Sequence, residues 1–137
     1  MIKIILLGAG NVGHHLSKAF NKSQQIDLVQ WYTRDKNKIT LSSLDTEIID
    51  DLANIKSADV YIISISDSYI GNLSKELNIS NKLVVHTSGS LDFNILNNKN
   101  RRGVFYPLQT FSKNEELEIS KVPICIESEN NQDLMLL

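Results

Sequence analysis

Apolar residues in this chain gather in short runs, separated by segments in which they fall every three or four positions. The first run, Ile2-Lys3-Ile4-Ile5-Leu6-Leu7, is short and rich in Ile and Leu, as a strand covered on both faces would be. Val12, Leu16, Ala19 and Phe20 then share one helical face. The alternation continues with a second strand at Ile26-Asp27-Leu28-Val29-Gln30-Trp31-Tyr32, a short third at Glu47-Ile48-Ile49, and a small helix around Asp51 to Lys56. A fourth strand, Val60-Tyr61-Ile62-Ile63-Ser64-Ile65, is largely β-branched and aromatic, which places it at the sheet centre. A helix with Ile70, Leu73 and Leu77 on one face follows, capped by Asp67 or Ser68, and then a fifth strand from Lys82 to His86. Ser90 is the expected N-cap of a short helix with Asp92 in its first turn. Gly103-Val104-Phe105-Tyr106 and Val122-Pro123-Ile124-Cys125-Ile126 complete the strands, with Pro123 marking an edge. Strands alternating with helices in this way predict βαβ units on a parallel sheet. The apolar stretch Leu134-Met135-Leu136-Leu137 carries no stop signal, so 129–137 reads as the start of a helix in a chain that ends early, with the main domain at 1–128.

Between the first strand and the first helix stands Gly8-Ala9-Gly10-Asn11-Val12-Gly13, a GxGxxG. Gly8 permits the tight turn, Gly10 removes the Cβ that would meet a pyrophosphate, and Gly13 lets the helix approach the strand. The helix N-terminus offers N–H groups and a partial positive charge to the same phosphates. Placed between a strand and an amphipathic helix, the motif predicts dinucleotide binding on a Rossmann-type, doubly wound, mainly parallel sheet with helices on both faces.

An NAD site places an acid about 20 residues beyond the glycines, at the second strand's tip. Here that place holds Thr33, within Trp31-Tyr32-Thr33-Arg34-Asp35-Lys36. A hydroxyl and a guanidinium suit a 2′-phosphate, with Lys36 or Lys38 adding to the field, so the coenzyme expected is NADP. Asp35 is the nearby acid able to turn in toward a ribose. S-adenosylmethionine sites generally also want an acid at that tip.

Ligands of open parallel sheets lie beyond the carboxyl ends of the strands. There the sequence places Ser64, Ser66 and Asp67 after the fourth strand, and His86-Thr87-Ser88-Gly89-Ser90 after the fifth. His86 and Ser88 are the candidate catalytic residues, able to orient a carbonyl or imine or to donate a proton. Turn chemistry and a structural, hydrogen-bonded histidine are the competing reading. The run from Gly103 to Phe111 would form a stiff wall near the nicotinamide, or core packing and a turn.

Composition narrows the field. The chain has 137 residues, 42% hydrophobic and 22% charged, with a net charge of −2, which suits one globular domain and gives no sign of a nucleic-acid or membrane partner. One cysteine excludes an internal disulfide, and adjacent His14 and His15 diverge on a helix, so no metal is assigned. Lacking an 18-residue apolar span, the protein is expected in the cytoplasm.

Gly8 to Gly13, His86-Thr87-Ser88-Gly89-Ser90 and Gly103 to Phe111 together resemble the Rossmann-like candidate NADP oxidoreductases whose second half is a helical domain of unknown function. These are similar to pyrroline-5-carboxylate reductases, deazaflavin-dependent NADP oxidoreductases and prephenate dehydrogenases. The resemblance implies Gly8, Gly10, Asn11, Val12 and Gly13 around the pyrophosphate, Thr33 and Arg34 at the 2′-phosphate, and Ser64, Ser66, Asp67, His86 and Ser88 toward the nicotinamide. It implies hydride transfer between the nicotinamide and a small carbonyl, imine or hydroxyl substrate. It also implies a missing C-terminal helical domain through which a homodimer would form, so this chain alone would be inactive. Tyr106 stands where relatives often carry His, which leaves any role of that imidazole without a bearer. The alternatives are a nucleotide-sensing regulatory module and a truncated remnant that binds coenzyme without turnover.

Overall fold

A computed structural model describes residues 1–39, 46–108 and 121–137. Seven strands form one sheet: β1 (Ile2–Leu7), β2 (Ile26–Tyr32), β3 (Glu47–Ile49), β4 (Val60–Ile63), β5 (Leu83–His86), β6 (Arg101–Pro107) and β7 (Ile124–Ser128). Their spatial order is β3-β2-β1-β4-β5-β6-β7. All neighbours run parallel except β6 and β7, which are antiparallel. Among the described residues three α-helices accompany them: α1 (Asn11–Lys22), α2 (Asp67–Glu76) and α3 (Asn131–Leu136). This is the Rossmann-type α/β architecture that the sequence predicts.

The apolar runs look uniform in sequence but sort by parity in the sheet, because successive strand side chains point to opposite faces. Ile4, Leu6, Val60, Ile62, Leu83 and Val85 join Leu16 and Phe20 of α1 and Trp31 in one core. Ile5, Leu7, Tyr61, Ile63 and Val84 join Ile70, Leu73 and Leu77 in the other, under α2. Burial on both sides is why these strands carry almost no polar residues.

Several boundaries differ from those expected, two of them where an aspartate side chain accepts from a local amide. β4 ends at Ile63, so Ser64 and Ile65 belong to the turn before α2, whose N-cap is Ser66 rather than Asp67 or Ser68. The expected helix near Asp51 is a single 3-10 turn, Leu52–Asn54, with the Asp51 carboxylate accepting from the Ala53 amide. Asp92, not Ser90, caps the next 3-10 turn, Phe93–Ile95, by accepting from the Asn94 amide at 2.7 Å. β6 is longer than expected, and β7 begins at Ile124. Pro123 lies just outside it, with its carbonyl accepting from the Leu108 amide.

Candidate nucleotide-binding cleft

The carboxyl ends of β1, β2, β4 and β5 open onto a cleft of about 770 Å³. Its floor is the glycine turn. Gly8 adopts φ +122°, a conformation that L side chains rarely take, and a Cβ there would collide with the Ser64 carbonyl and the Ile65 side chain. A Cβ on Gly13 would strike the Gly8 carbonyl. These two glycines are demanded by the protein's own packing. Gly10 differs: a Cβ there would meet nothing within 4 Å. Packing does not explain this glycine, whereas a ligand pressed against bare backbone does. Gly10 is also the N-cap of α1 without a side-chain cap, and the first turn of that helix carries no acid. The positive end of α1 is thus left to an anion.

Two aromatic residues hold the turn from below. The fully buried Trp31 donates its indole N–H to the Gly8 carbonyl at 2.7 Å. His14 packs edge-on against Trp31 and brings Nδ1 to 2.9 Å from the Gly10 carbonyl and Nε2 to 3.0 Å from the Lys38 carbonyl. It therefore ties the glycine turn to the segment that follows β2. Neither role was read from the sequence; the signal was an indole near the end of a strand, since a buried Trp N–H needs an acceptor.

At the β2 tip, Thr33, Arg34, Asp35 and Lys38 line the cleft. Thr33 is buried and its hydroxyl donates to the Asp35 carbonyl at 3.1 Å, so it shapes the turn. The Asp35 carboxylate accepts from the Asn37 amide at 3.0 Å and caps the 3-10 turn Lys36–Lys38. Arg34 and Lys38 supply the positive charge at this end, and Lys36 is not part of the lining. Tyr32 adjoins them; burial and then Glu76 push its phenol above the usual tyrosine range, partly offset by Arg34. Tyr69, Asn72, Leu73 and Glu76 form the facing wall on one side of α2. Their i, i+3, i+4, i+7 spacing was available in the sequence, where only its apolar members stood out.

Ser64, Ser66, Asp67 and Thr87 line the other end, at the tips of β4 and β5. The Ser64 hydroxyl is buried and has no hydrogen-bond partner among the described residues. A buried hydroxyl left unsatisfied on a cleft wall is what a ligand's polar atom would complete. Of the expected coenzyme residues, Gly8, Gly10, Asn11, Val12, Thr33, Arg34, Ser64, Ser66 and Asp67 come together in this cleft, and Gly13 packs beneath it. The residues present fit a dinucleotide.

His86 and Ser88 lie elsewhere. The fully buried His86 accepts the Ser88 amide at Nδ1 (3.0 Å), so its proton sits on Nε2 and is donated to the Asp92 carbonyl (3.0 Å). Neither ring nitrogen is left for a substrate. Ser88 is buried, and Ser90 donates its hydroxyl to Asp67 Oδ2 at 2.7 Å. The Ser90 oxygen, 3.2 Å from that of Ser88, must then accept the Ser88 hydroxyl proton. The His-Thr-Ser-Gly-Ser run thus closes on itself, with only Thr87 reaching the cleft. Gly89 is glycine because a Cβ would run into the Tyr106 ring. Tyr106 therefore packs on this loop rather than walling the cleft, while 109–111 lie outside the described residues.

No family model and no curated protein matches the chain. Among solved structures, a candidate NADP oxidoreductase of Bacteroides fragilis is 33% identical with a TM-score of 0.83, over 98% of this chain and 54% of that one. A Thermotoga maritima protein (16% identical, TM-score 0.64) matches over 93% of this chain and 49% of its own. Prephenate dehydrogenase of A. aeolicus (19%, 0.62) matches over 79% and 42%. The latter two show the shared fold alone, and the chain spans about half the length of the first two relatives. Its sheet order, its glycine turn and one-third identity along nearly all its length make the chain, on its Rossmann-type fold, similar to about half of that Bacteroides fragilis candidate NADP oxidoreductase.

Proposed function

We propose that this chain is the NADP-binding domain of an oxidoreductase that moves hydride between the nicotinamide and a small carbonyl, imine or hydroxyl substrate. One observation carries the choice of coenzyme. At the β2 tip the sole carboxylate on the strand-to-turn segment caps its own turn, while Arg34 and Lys38 line the cleft. A 2′-phosphate would meet cations there, and a charge-assisted contact from Arg34 is worth about 1.5–3 kcal/mol. The diphosphate would lie over Gly10 and the N-terminus of α1, where the space above the backbone is open. Bound there, the coenzyme supplies the hydride chemistry, and the protein supplies binding and orientation. In this reading His86 and Ser88 act from behind the wall as positioning residues, and the candidate contacts at the nicotinamide end are Ser64, Ser66, Asp67 and Thr87. Substrate closure and pairing of subunits would fall to the part of the relatives' length that this chain does not span.

Calorimetric titration of NADPH, NADH and S-adenosylmethionine tests the reading. NADPH is expected to bind tightest. Arg34→Ala should weaken NADPH at least tenfold, as expected for loss of a charge-assisted contact, and leave NADH nearly unchanged. Equal losses for both would remove the phosphate-reading role, and silence toward every pyridine coenzyme would remove the function.

A further inference from the structure

We propose that Asp67 makes this cleft discriminate between redox states of its coenzyme, favouring the oxidised pyridinium form over the reduced form. The inference rests on the coenzyme reading above and adds a specificity-determining residue to it. A dinucleotide with its diphosphate on the glycine turn and its 2′-phosphate at Arg34 extends its nicotinamide toward the tips of β4 and β5. Asp67 and Thr87 line the cleft there. The other acids of the lining sit at the far end: Asp35 caps the turn after β2, and Glu76 acts on Tyr32.

Asp67 is exposed at the start of α2, yet it is held from behind. Ser90 donates its hydroxyl to Oδ2 at 2.7 Å, and Ser88 donates to Ser90. The loop bearing both serines is fixed by the Ser88 amide on His86 and by Gly89 seated against Tyr106. Every proton in this relay points toward the carboxylate. The loop presents a donor to the Asp67 carboxylate and so fixes where that carboxylate sits. This also gives a purpose to His86, Ser88 and Ser90, the members of the His-Thr-Ser-Gly-Ser run that do not line the cleft.

The chemical consequence follows from the coenzyme. Its nicotinamide ring carries one positive charge when oxidised and none when reduced. A fixed carboxylate nearby therefore stabilises one form and is indifferent to the other. The N-terminus of α2 exerts the opposite field at the same place, so without the Asp67 charge the preference should shrink or reverse. For one unit charge acting through a solvent-screened mouth, the preference for the oxidised form is about fivefold. Since tenfold corresponds to about 30 mV for a two-electron couple, the bound coenzyme's midpoint would fall by about 20 mV, making it a somewhat better hydride donor.

The test is to measure Kd for NADP+ and for NADPH with the wild-type chain, Asp67→Asn and Ser90→Ala, at low and at moderate salt. Asn keeps an acceptor for Ser90 and the helical position, and circular dichroism checks that each variant is folded. Asp67→Asn is expected to weaken NADP+ about fivefold and move NADPH less than twofold. Ser90→Ala, which frees the carboxylate to swing away, should give a smaller change in the same direction. The wild-type preference should contract with added salt. Equal shifts for both coenzymes, or an unmoved ratio in Asp67→Asn, would overturn the role of Asp67 while leaving the coenzyme site intact. A wild-type chain that binds neither coenzyme would overturn the site and, with it, this inference.

Discussion

The two ends of the cleft are built from similar polar residues and behave oppositely. At the β2 tip, local turn chemistry consumes Thr33 and Asp35 and leaves the long cations Arg34 and Lys38 at the wall. At the β5 tip, almost every polar group is consumed within the loop, with His86 satisfied at both nitrogens and both serines directed toward Asp67. Two glycines mark the same contrast. The space above Gly10 is open, and the space above Gly89 is filled by the Tyr106 ring. A polar residue at the right end of the right strand is therefore a ligand-binding candidate only if the loop carrying it does not need it first.

The comparison can be broken by variants that separate stability from binding. The largest effect is expected at Gly8→Ala, where a positive φ combines with collision against the Ser64 backbone. The loss should be about 3 kcal/mol or more by urea unfolding, and a stable Gly8→Ala protein would mean that the turn can relax. His86→Ala should cost about 2–3 kcal/mol, because it leaves a cavity and strips partners from the Ser88 amide and the Asp92 carbonyl. Coenzyme affinity should follow only indirectly; an unchanged melting point with abolished binding would return His86 to the site. Gly10→Ala should show the reverse pattern: stability within about 1 kcal/mol of wild type, since the Cβ meets no neighbour, and NADPH affinity down at least tenfold. Affinity unaffected by that methyl would place the diphosphate elsewhere.

The smallest effect lies outside the cleft. Glu129 accepts from the Arg102 side chain at 2.7 Å and from the Arg102 amide at 2.9 Å, across the pairing of β6 with β7. The Arg102 side-chain hydrogen bond holds the Glu129 carboxyl below the usual glutamate range. A depressed folded-state pKa means that the contribution is complete above the unfolded value, near pH 4.3, and is lost as pH falls through the lower folded value. Glu129→Gln should therefore lower stability by about 1 kcal/mol or less at pH 7 and flatten the acid limb of the stability curve. An acid limb identical to that of wild type would show that the pair contributes nothing measurable.

Much of the molecule was legible from residue order alone. Periodicity placed all seven strands, because a run buried on both faces has to be apolar and a helix against it has to be striped. The glycine motif located the cleft, since Gly8 and Gly13 answer to backbone geometry that no other residue satisfies cheaply. The missing acid at Thr33 pointed to the cationic end. Less legible were the cap positions, which moved by one or two residues: Asp92 rather than Ser90 accepts the next turn's amide, and α2 starts from Ser66 without a side-chain cap. Tyr69, Asn72 and Glu76 escaped notice because polar helix positions look alike until a cleft selects among them.

What the order of residues determined by itself was the fold, the place of the cleft, and the sign of the charge at its β2 end. These depend on pattern and on local backbone restrictions, which act between residues close in the chain. Only tertiary structure decided which polar groups remain available. Trp31 meets Gly8, His14 meets Lys38 and Ser90 meets Asp67 across 23, 24 and 23 positions of sequence. A hydrogen bond is a matter of ångströms, and separation along a chain says little about distance in space until the chain has folded.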